Sequence, residues 1–252
     1  MTYASTPAFV VRSAGLDLPG VLYLPAGDGP HPGVLLLHGF PGYERNFDLA
    51  HVLRRAGFAA LVFHYRGSWG AAGSWSWSNV LEDAVAGVAA LRESPYVDAE
   101  RVAIVGHSMG GFAALHTAAA DPSLIKVAAI TPFDFGAAGV AIAADPAAQQ
   151  AYTEAFEDEL LPLQGTSAAA LVDEMVAHGP NWRLASLAPK LAGRPVLLVG
   201  GSRDTAAPYE QNFLPLVDAY AEAKLEHRLF DTDHALSDHR EELAASVLEF
   251  LS

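Results

Sequence analysis

The segment Gly106-His107-Ser108-Met109-Gly110-Gly111 is where this sequence most plainly offers chemistry. It follows an apolar run at residues 102–105 that reads as a strand, and it precedes an Ala-rich stretch from Phe112 that reads as a helix. A serine at such a strand-to-helix turn is thrust clear of the backbone. Glycines two residues either side are needed because a side chain there would collide with neighbouring elements. The positive end of the following helix points at the turn and favours the negative charge that develops during acyl transfer. Ser108 is therefore the expected nucleophile. A serine hydroxyl is weak at neutral pH, so it needs an imidazole to take its proton and a third group to hold that imidazole in one tautomer. The chain has ten histidines to choose from and no cysteine, which removes thiol nucleophiles, disulfides and thiolate metal sites.

Elements able to carry such groups recur along the chain. Short apolar runs at residues 9–11, 21–24, 34–37, 60–63, 102–105, 127–130, 196–199 and 225–230 read as strands. Helical stretches at 47–55, 80–91, 109–119, 208–220 and 236–250 alternate with them after the opening pair. That rhythm predicts an α/β fold with a mostly parallel central sheet covered by helices on both faces. The interval between Ile130 and Val196 is far longer than one crossover helix requires, so residues 133–187 are expected to form a helical cap insertion. Within it, 146–161 and 167–177 read as helices, the first with Asp145 as N-cap and Pro146 at the first helical position. The stretch 67–78 holds three tryptophans among Gly and Ser, an unusual loop composition that often lines a pocket.

Bulk properties narrow the class. A chain of 252 residues with 51% hydrophobic content can bury one substantial core, so a single domain over 1–252 is expected. A formal net charge of −14 makes nucleic acid and anionic membranes poor partners. The first ten residues lack the basic start and long apolar run of a leader, and no apolar run is long enough to span a bilayer. A cytoplasmic protein with no membrane partner is the resulting expectation, and a homodimer is left open.

The six-residue segment around Ser108 resembles the nucleophile elbow of the α/β-hydrolase superfamily, and the resemblance extends over nearly the whole chain. It implies that His234, in Asp231-Thr232-Asp233-His234 after the last expected strand, is the general base. It implies that Asp204, in the loop after the penultimate strand, orients that histidine, which gives the Ser, acid, His order of the superfamily. The rivals are His239 for the base and Asp134, one strand earlier, for the acid; Asp233 is adjacent to the histidine and badly placed to reach its ring. The superfamily also uses the loop corresponding to His38-Gly39-Phe40-Pro41-Gly42 to stabilise an oxyanion, so the backbone amides of Phe40 and Met109 are the implied donors.

Tyr65-Arg66-Gly67-Ser68 resembles a loop of small feruloyl or cinnamoyl esterases and of the prolyl oligopeptidase catalytic domain. Tyr65 and Trp182 are the expected substrate-binding residues, with Trp69, Trp75 and Trp77 as further candidate walls. Arg66 could meet a substrate carboxylate, but a structural arginine bonding its own surroundings is the stronger reading.

The activity implied is that of a serine carboxylic ester hydrolase working through an acyl-Ser108 intermediate on a small-molecule ester, with a small to medium or aromatic acyl group and no metal or organic cofactor. An aminoacyl or dipeptidyl peptidase is the alternative within enzymes, though the chain has no room for the propeller domain of those peptidases. A slow or inactive ligand-binding member of the fold is the alternative outside them. Dehalogenases and epoxide hydrolases of this fold use an aspartate nucleophile, which Ser108 contradicts. Acyl transfer to an alcohol would use the same residues.

Overall fold

Eight strands form one sheet in the order β1-β2-β4-β3-β5-β6-β7-β8. They are β1 (Ala8–Ser13), β2 (Leu16–Tyr23), β3 (His31–Leu37), β4 (Ala59–Phe63), β5 (Val97–His107), β6 (Val127–Ile130), β7 (Pro195–Gly201) and β8 (Lys224–Phe230). β2 runs antiparallel to β1 and β4, and every other pairing is parallel. The chain is seen here in a computed structural model that describes residues 3–252. Met1 and Thr2, the start of the stretch read for a leader, lie outside the described residues. Among those described, no helix is long and apolar enough to cross a membrane.

Strand side chains alternate between two apolar layers, as a period of two demands. Leu35 and Leu37 of β3 and Val102 and Ile104 of β5 face one layer, under helices α2 (Trp77–Glu93) and α3 (Met109–Ala120). Val34 and Leu36 of β3 and Ala103 and Val105 of β5 face the other, under α1 (Phe47–Arg55) and α10 (Arg240–Leu251). Burial on both faces explains why these strands read as unbroken apolar runs. β3 lies between β4 and β5, so the chain leaves β3 towards one edge and later returns to build towards the other. Such a reversal opens a crevice at the carboxyl ends of the strands, the place where open α/β sheets hold ligands.

Between β6 and β7 come α4 (Phe135–Ala144), α5 (Pro146–Glu157) and α6 (Ala168–Trp182), a short 3-10 turn at Leu184–Leu187 and α7 (Ala188–Leu191). Asp145 caps α5 by accepting from the Ala147 amide at 2.9 Å, with Pro146 in the first turn. α4 has no counterpart among the expected elements. Its sequence, Phe-Gly-Ala-Ala-Gly-Val-Ala-Ile-Ala-Ala, is apolar or small on every side and carries no amphipathic period. Gly136 and Gly139 explain its placement: a Cβ on Gly139 would lie 2.0 Å from the Met175 carbonyl oxygen of α6, so the two helices touch backbone to backbone.

Two other helices differ from expectation. The stretch 208–220 is split into α8 (Tyr209–Asn212) and α9 (Leu214–Ala219), because Pro215 has no amide hydrogen and its ring crowds the preceding turn. The last helix begins at Arg240, not at residue 236, because Leu236 adopts φ 54° and Asp233 bonds the Ser237 amide at 2.9 Å and its hydroxyl at 2.8 Å.

The Trp-rich loop is stitched to its surroundings. The Trp69 amide donates to Pro162 O at 2.8 Å and the Trp75 amide to Gln164 O at 2.9 Å, which ties the segment after α5 to the body. Glu174 of α6 accepts the Trp77 and Ser78 amides at 2.8 Å each and so caps α2. Arg66 is structural, donating through Nε to Asp83 at 2.7 Å, through its amide to the same carboxylate at 2.8 Å, and through Nη2 to Glu82 at 2.7 Å. Asp83 is wholly buried, so removing it leaves the buried Nε and backbone amide of Arg66 without their acceptor while Glu82 still holds Nη2. Asp83→Ala should therefore lower the unfolding free energy by about 3 to 5 kcal/mol in urea titration, well beyond a surface substitution.

Candidate active site

Ser108 stands between β5 and α3 with φ 56° and ψ −119°, a left-handed conformation that an L side chain adopts only where the surroundings enforce it. The enforcement is visible. A Cβ on Gly106 would lie 1.9 Å from Gly110 O, and one on Gly110 would lie 2.1 Å from Leu37 O of β3. The turn is thus wedged between its own helix and the adjacent strand, and the Ser108 amide is tied to Ile130 O of β6 at 2.8 Å.

Asp204 lies in the loop after β7 and His234 in the loop after β8, and pairing of those two strands brings the loops side by side. His234 Nδ1 and Asp204 Oδ2 are 2.6 Å apart, while Asp204 Oδ1 accepts the amides of Ala206 at 2.9 Å and Ala207 at 2.8 Å. The carboxylate is nearly enclosed and both of its oxygens are engaged. This arrangement fixes the imidazole with Nδ1 as the hydrogen donor, leaving Nε2 free for another group. Ser108 and His234 line the same cavity, of about 460 Å³.

The rivals are engaged elsewhere. Asp134 is the N-cap of α4, accepting the Ala137 amide at 2.9 Å and the Leu184 amide at 3.1 Å, and burial pushes its carboxyl up. His239 pairs with Asp238 at 3.1 Å and caps the start of α10. Among the described residues no group of three or more His, Asp or Glu side chains is gathered to hold a metal ion.

Phe40 lines the cavity, and Met109 is the first residue of α3. The first amides of a helix have no acceptor within it. Among the described residues neither the Phe40 nor the Met109 amide donates to a protein oxygen. Gly39 packs so closely on Ser108 that a Cβ would lie 3.0 Å from the serine Cβ.

Tyr65 and Trp182 are placed away from the cavity. Tyr65 is buried behind the 38–42 loop, its hydroxyl donating to His38 O at 3.1 Å. Trp182, at the end of α6, packs edge-on against Phe112 and stacks on His178. Both are buried among other rings, Tyr65 against Phe63 and Trp75 and Trp182 against Phe112, so the core claims them. None of the other three tryptophans lines the cavity either. The lining comes instead from Phe133 and Phe135, from Ala151, Tyr152, Ala155, Phe156 and Glu159 on α5 and the turn after it, and from Thr205 and Ala206. The α5 residues recur at helical spacing, which marks one face; the sequence reading places the cap over the acyl pocket but does not say which of its residues line it.

Two buried imidazoles frame the site. His107 Nε2 donates to the His234 carbonyl oxygen at 2.8 Å, and Thr131 Oγ1 donates to the same oxygen at 3.1 Å, so β5 and β6 together fix the histidine loop. Burial pushes His107 down to about 3, aided by the nearby His234. Burial likewise pushes His38 down to about 3, and burial followed by Arg45 pushes His64 to about 4. An unfolded histidine binds its proton near 6.5. The unfolded chain therefore takes up more protons between about pH 6.5 and 4, so this part of the stability is complete above pH 6.5 and drains away as pH falls. Each such histidine should contribute about 1.4 kcal/mol per pH unit in that window. Urea titrations from pH 7 to pH 5 should show the loss, and His107→Gln should make the pH dependence shallower by one histidine's share.

Comparison with known proteins agrees with the fold. A family model described as alpha/beta hydrolase family matches residues 34–246. The chain is 32% identical over 169 residues to Esterase EstD of Thermotoga maritima, a match covering 62% of this chain and 37% of EstD, so it spans well under half of that relative's length. It superposes on Est1E from Butyrivibrio proteoclasticus with a TM-score of 0.73 at 23% identity, covering 97% of both chains. It also superposes on dipeptidyl peptidase 4 of Porphyromonas gingivalis with a TM-score of 0.71 at 20% identity, covering 99% of this chain and 35% of the peptidase.

Proposed function

The chain belongs to the alpha/beta hydrolase family, and from that premise we propose that it is a serine carboxylic ester hydrolase with Ser108 as nucleophile, His234 as general base and Asp204 as the group that orients His234. The single observation that carries the reading is the 2.6 Å contact of His234 Nδ1 with an enclosed Asp204 carboxylate, beside a left-handed Ser108 that lines the same cavity. A structural aspartate needs no such partner, and a structural serine needs no such strain.

In this reading His234 Nε2 takes the Ser108 hydroxyl proton as Oγ attacks the ester carbonyl carbon. The carbonyl oxygen becomes an oxyanion received by the Phe40 and Met109 amides, and the positive end of α3 adds to that stabilisation. Collapse of the adduct breaks the bond to the alcohol oxygen, which takes the proton from His234 and leaves an acyl-Ser108 ester. Water then gives a proton to His234, attacks the acyl carbon and releases the acid, and Ser108 recovers its proton. No step calls on a metal or organic cofactor. Residues 133–187 act as a helical cap on a single domain, with α5 as the roof of the acyl pocket. The aromatic lining of the cavity supports small to medium or aromatic acyl groups.

The test pairs p-nitrophenyl esters with p-nitroanilides of the same acyl groups, acetyl through octanoyl, cinnamoyl and aminoacyl. Esters alone should turn over, with Ser108→Ala lowering kcat by about 10⁴-fold or more and Asp204→Asn by a comparable factor. Faster cleavage of aminoacyl anilides would make the protein a peptidase, and rates equal to those of Ser108→Ala in both series would refute hydrolysis of these substrates.

A further inference from the structure

Five aromatic residues, Phe40, Phe133, Phe135, Tyr152 and Phe156, line the cavity beside Ser108, and their rings form a belt of successive contacts. Centroids lie 5.4 Å apart for Phe40 and Phe156, 6.0 Å for Phe156 and Tyr152, 6.4 Å for Tyr152 and Phe133, and 4.7 Å for Phe133 and Phe135. Trp77 backs these rings from behind the lining, 4.3 Å from Phe135, 5.0 Å from Phe40 and 5.6 Å from Phe156. Half-buried Glu159, in the turn after α5, lines the same cavity, and its amide donates to Phe156 O at 3.0 Å. Among the described residues no lysine or arginine lines the cavity, and the Glu159 carboxylate is in no ion pair.

Aromatic walls alone would serve a neutral apolar group. The carboxylate then works against binding, since an apolar group seated on it strips water and returns no partner. An anionic substrate fares worse, because Glu159 and the net charge of −14 both repel it. A cation reverses each term: it pairs with Glu159, it meets the electron-rich faces of the rings, and the protein's field draws it in. Resting on the ester hydrolase reading above, we propose that the substrate carries a cationic nitrogen, an amine or a quaternary ammonium, in the part that fills this cavity. Glu159 and the aromatic belt select it.

Isosteric ester pairs test this on the full chain. Butyrylcholine is compared with 3,3-dimethylbutyl butyrate, its neutral carbon analogue, which places the charge on the alcohol. The p-nitrophenyl ester of 4-(trimethylammonio)butanoic acid is compared with that of 5,5-dimethylhexanoic acid, which places it on the acyl group. After correction for alkaline hydrolysis rates, kcat/KM should favour the cationic member of one pair by about tenfold or more, and the pair that responds identifies the charged side. Glu159→Gln should cut that ratio about five- to tenfold, and raised salt should cut it as well. Should Glu159→Gln fail to fold, Phe156→Leu reads the same ratio through the belt.

Calorimetric titration of tetramethylammonium into Ser108→Ala protein supplies a readout without turnover, with neopentyl alcohol as the neutral control. Saturable binding of the cation alone, weakened by Glu159→Gln, is expected. Turnover of neutral esters with no cationic preference in either pair and no tetramethylammonium binding overturns the cation site and leaves the ester reading intact. Binding of the cation with no ester hydrolysed above Ser108→Ala overturns the ester reading and leaves the cation site standing.

Discussion

The approach of α3 to the sheet at Gly106 and Gly110 is the constraint on which the rest of the site depends. Any Cβ at Gly110 would meet Leu37 O of β3, and any at Gly106 would meet Gly110 O, so the separation of helix and strand is set by backbone against backbone. At that separation the residue between the two glycines has no room to enter the helix in an ordinary conformation, and Ser108 takes φ 56°. The strain is held by a dense surrounding: Met109, Phe112, Ala113 and Ala114 of α3 are all buried. A loosened core would relax the turn and move the hydroxyl, so packing density and the position of the Ser108 hydroxyl are one property.

Strand order carries the remaining groups to that hydroxyl. β3 delivers the 38–42 loop on one side of β5, while β6 supplies the Thr131 donor on the other, and β7 and β8 bring Asp204 and His234 together beyond it. The His234 carbonyl, accepting from both His107 and Thr131, anchors the far loop to the centre of the sheet. His107 can play that part because burial keeps it neutral: a second protonated imidazole with its ring centre 5.1 Å from that of His234 would oppose any positive charge arising there. Neutrality of the buried histidines is thus a source of acid sensitivity and keeps a second charge away from the His234 loop.

What the sequence made legible follows the strength of its local signals. The elbow glycines, the apolar runs of β3 to β7 and the Asp145-Pro146 start of α5 are each set by short-range sterics or capping, and each is found within a few residues of its expected place. Loops at the ends of paired strands were legible too, because strand adjacency decides what they can touch. Where several elements compete for one side chain, residue type said little. Tyr65 and Trp182 suit a pocket wall as well as a core, and only the three-dimensional packing turns them inward. α4 was hidden because a helix of small residues packed against another helix needs no polar face, and its marks are the Asp134 N-cap and the Gly136 and Gly139 pair. Pro215 was visible in the sequence as a breaker, and the split of the 208–220 helix follows from it.

The division between frame and lining also explains why specificity is the least legible layer. α5 has no fully buried residue, although one of its faces lines the cavity. Its side chains Tyr152 and Phe156 are only partly buried, packing on the core from one side and facing the cavity on the other, so exchanging them leaves the interior of the core intact. The elbow tolerates no such exchange, because its glycines are pressed between backbone atoms that cannot yield. A fold built in this way can keep its reacting groups fixed while the roof changes, and the sequence pattern that identifies the frame is bound to be silent about the roof. The chemistry of the cavity has therefore to be read from what its walls offer: an aromatic belt, an unpaired carboxylate and no cation among the lining residues.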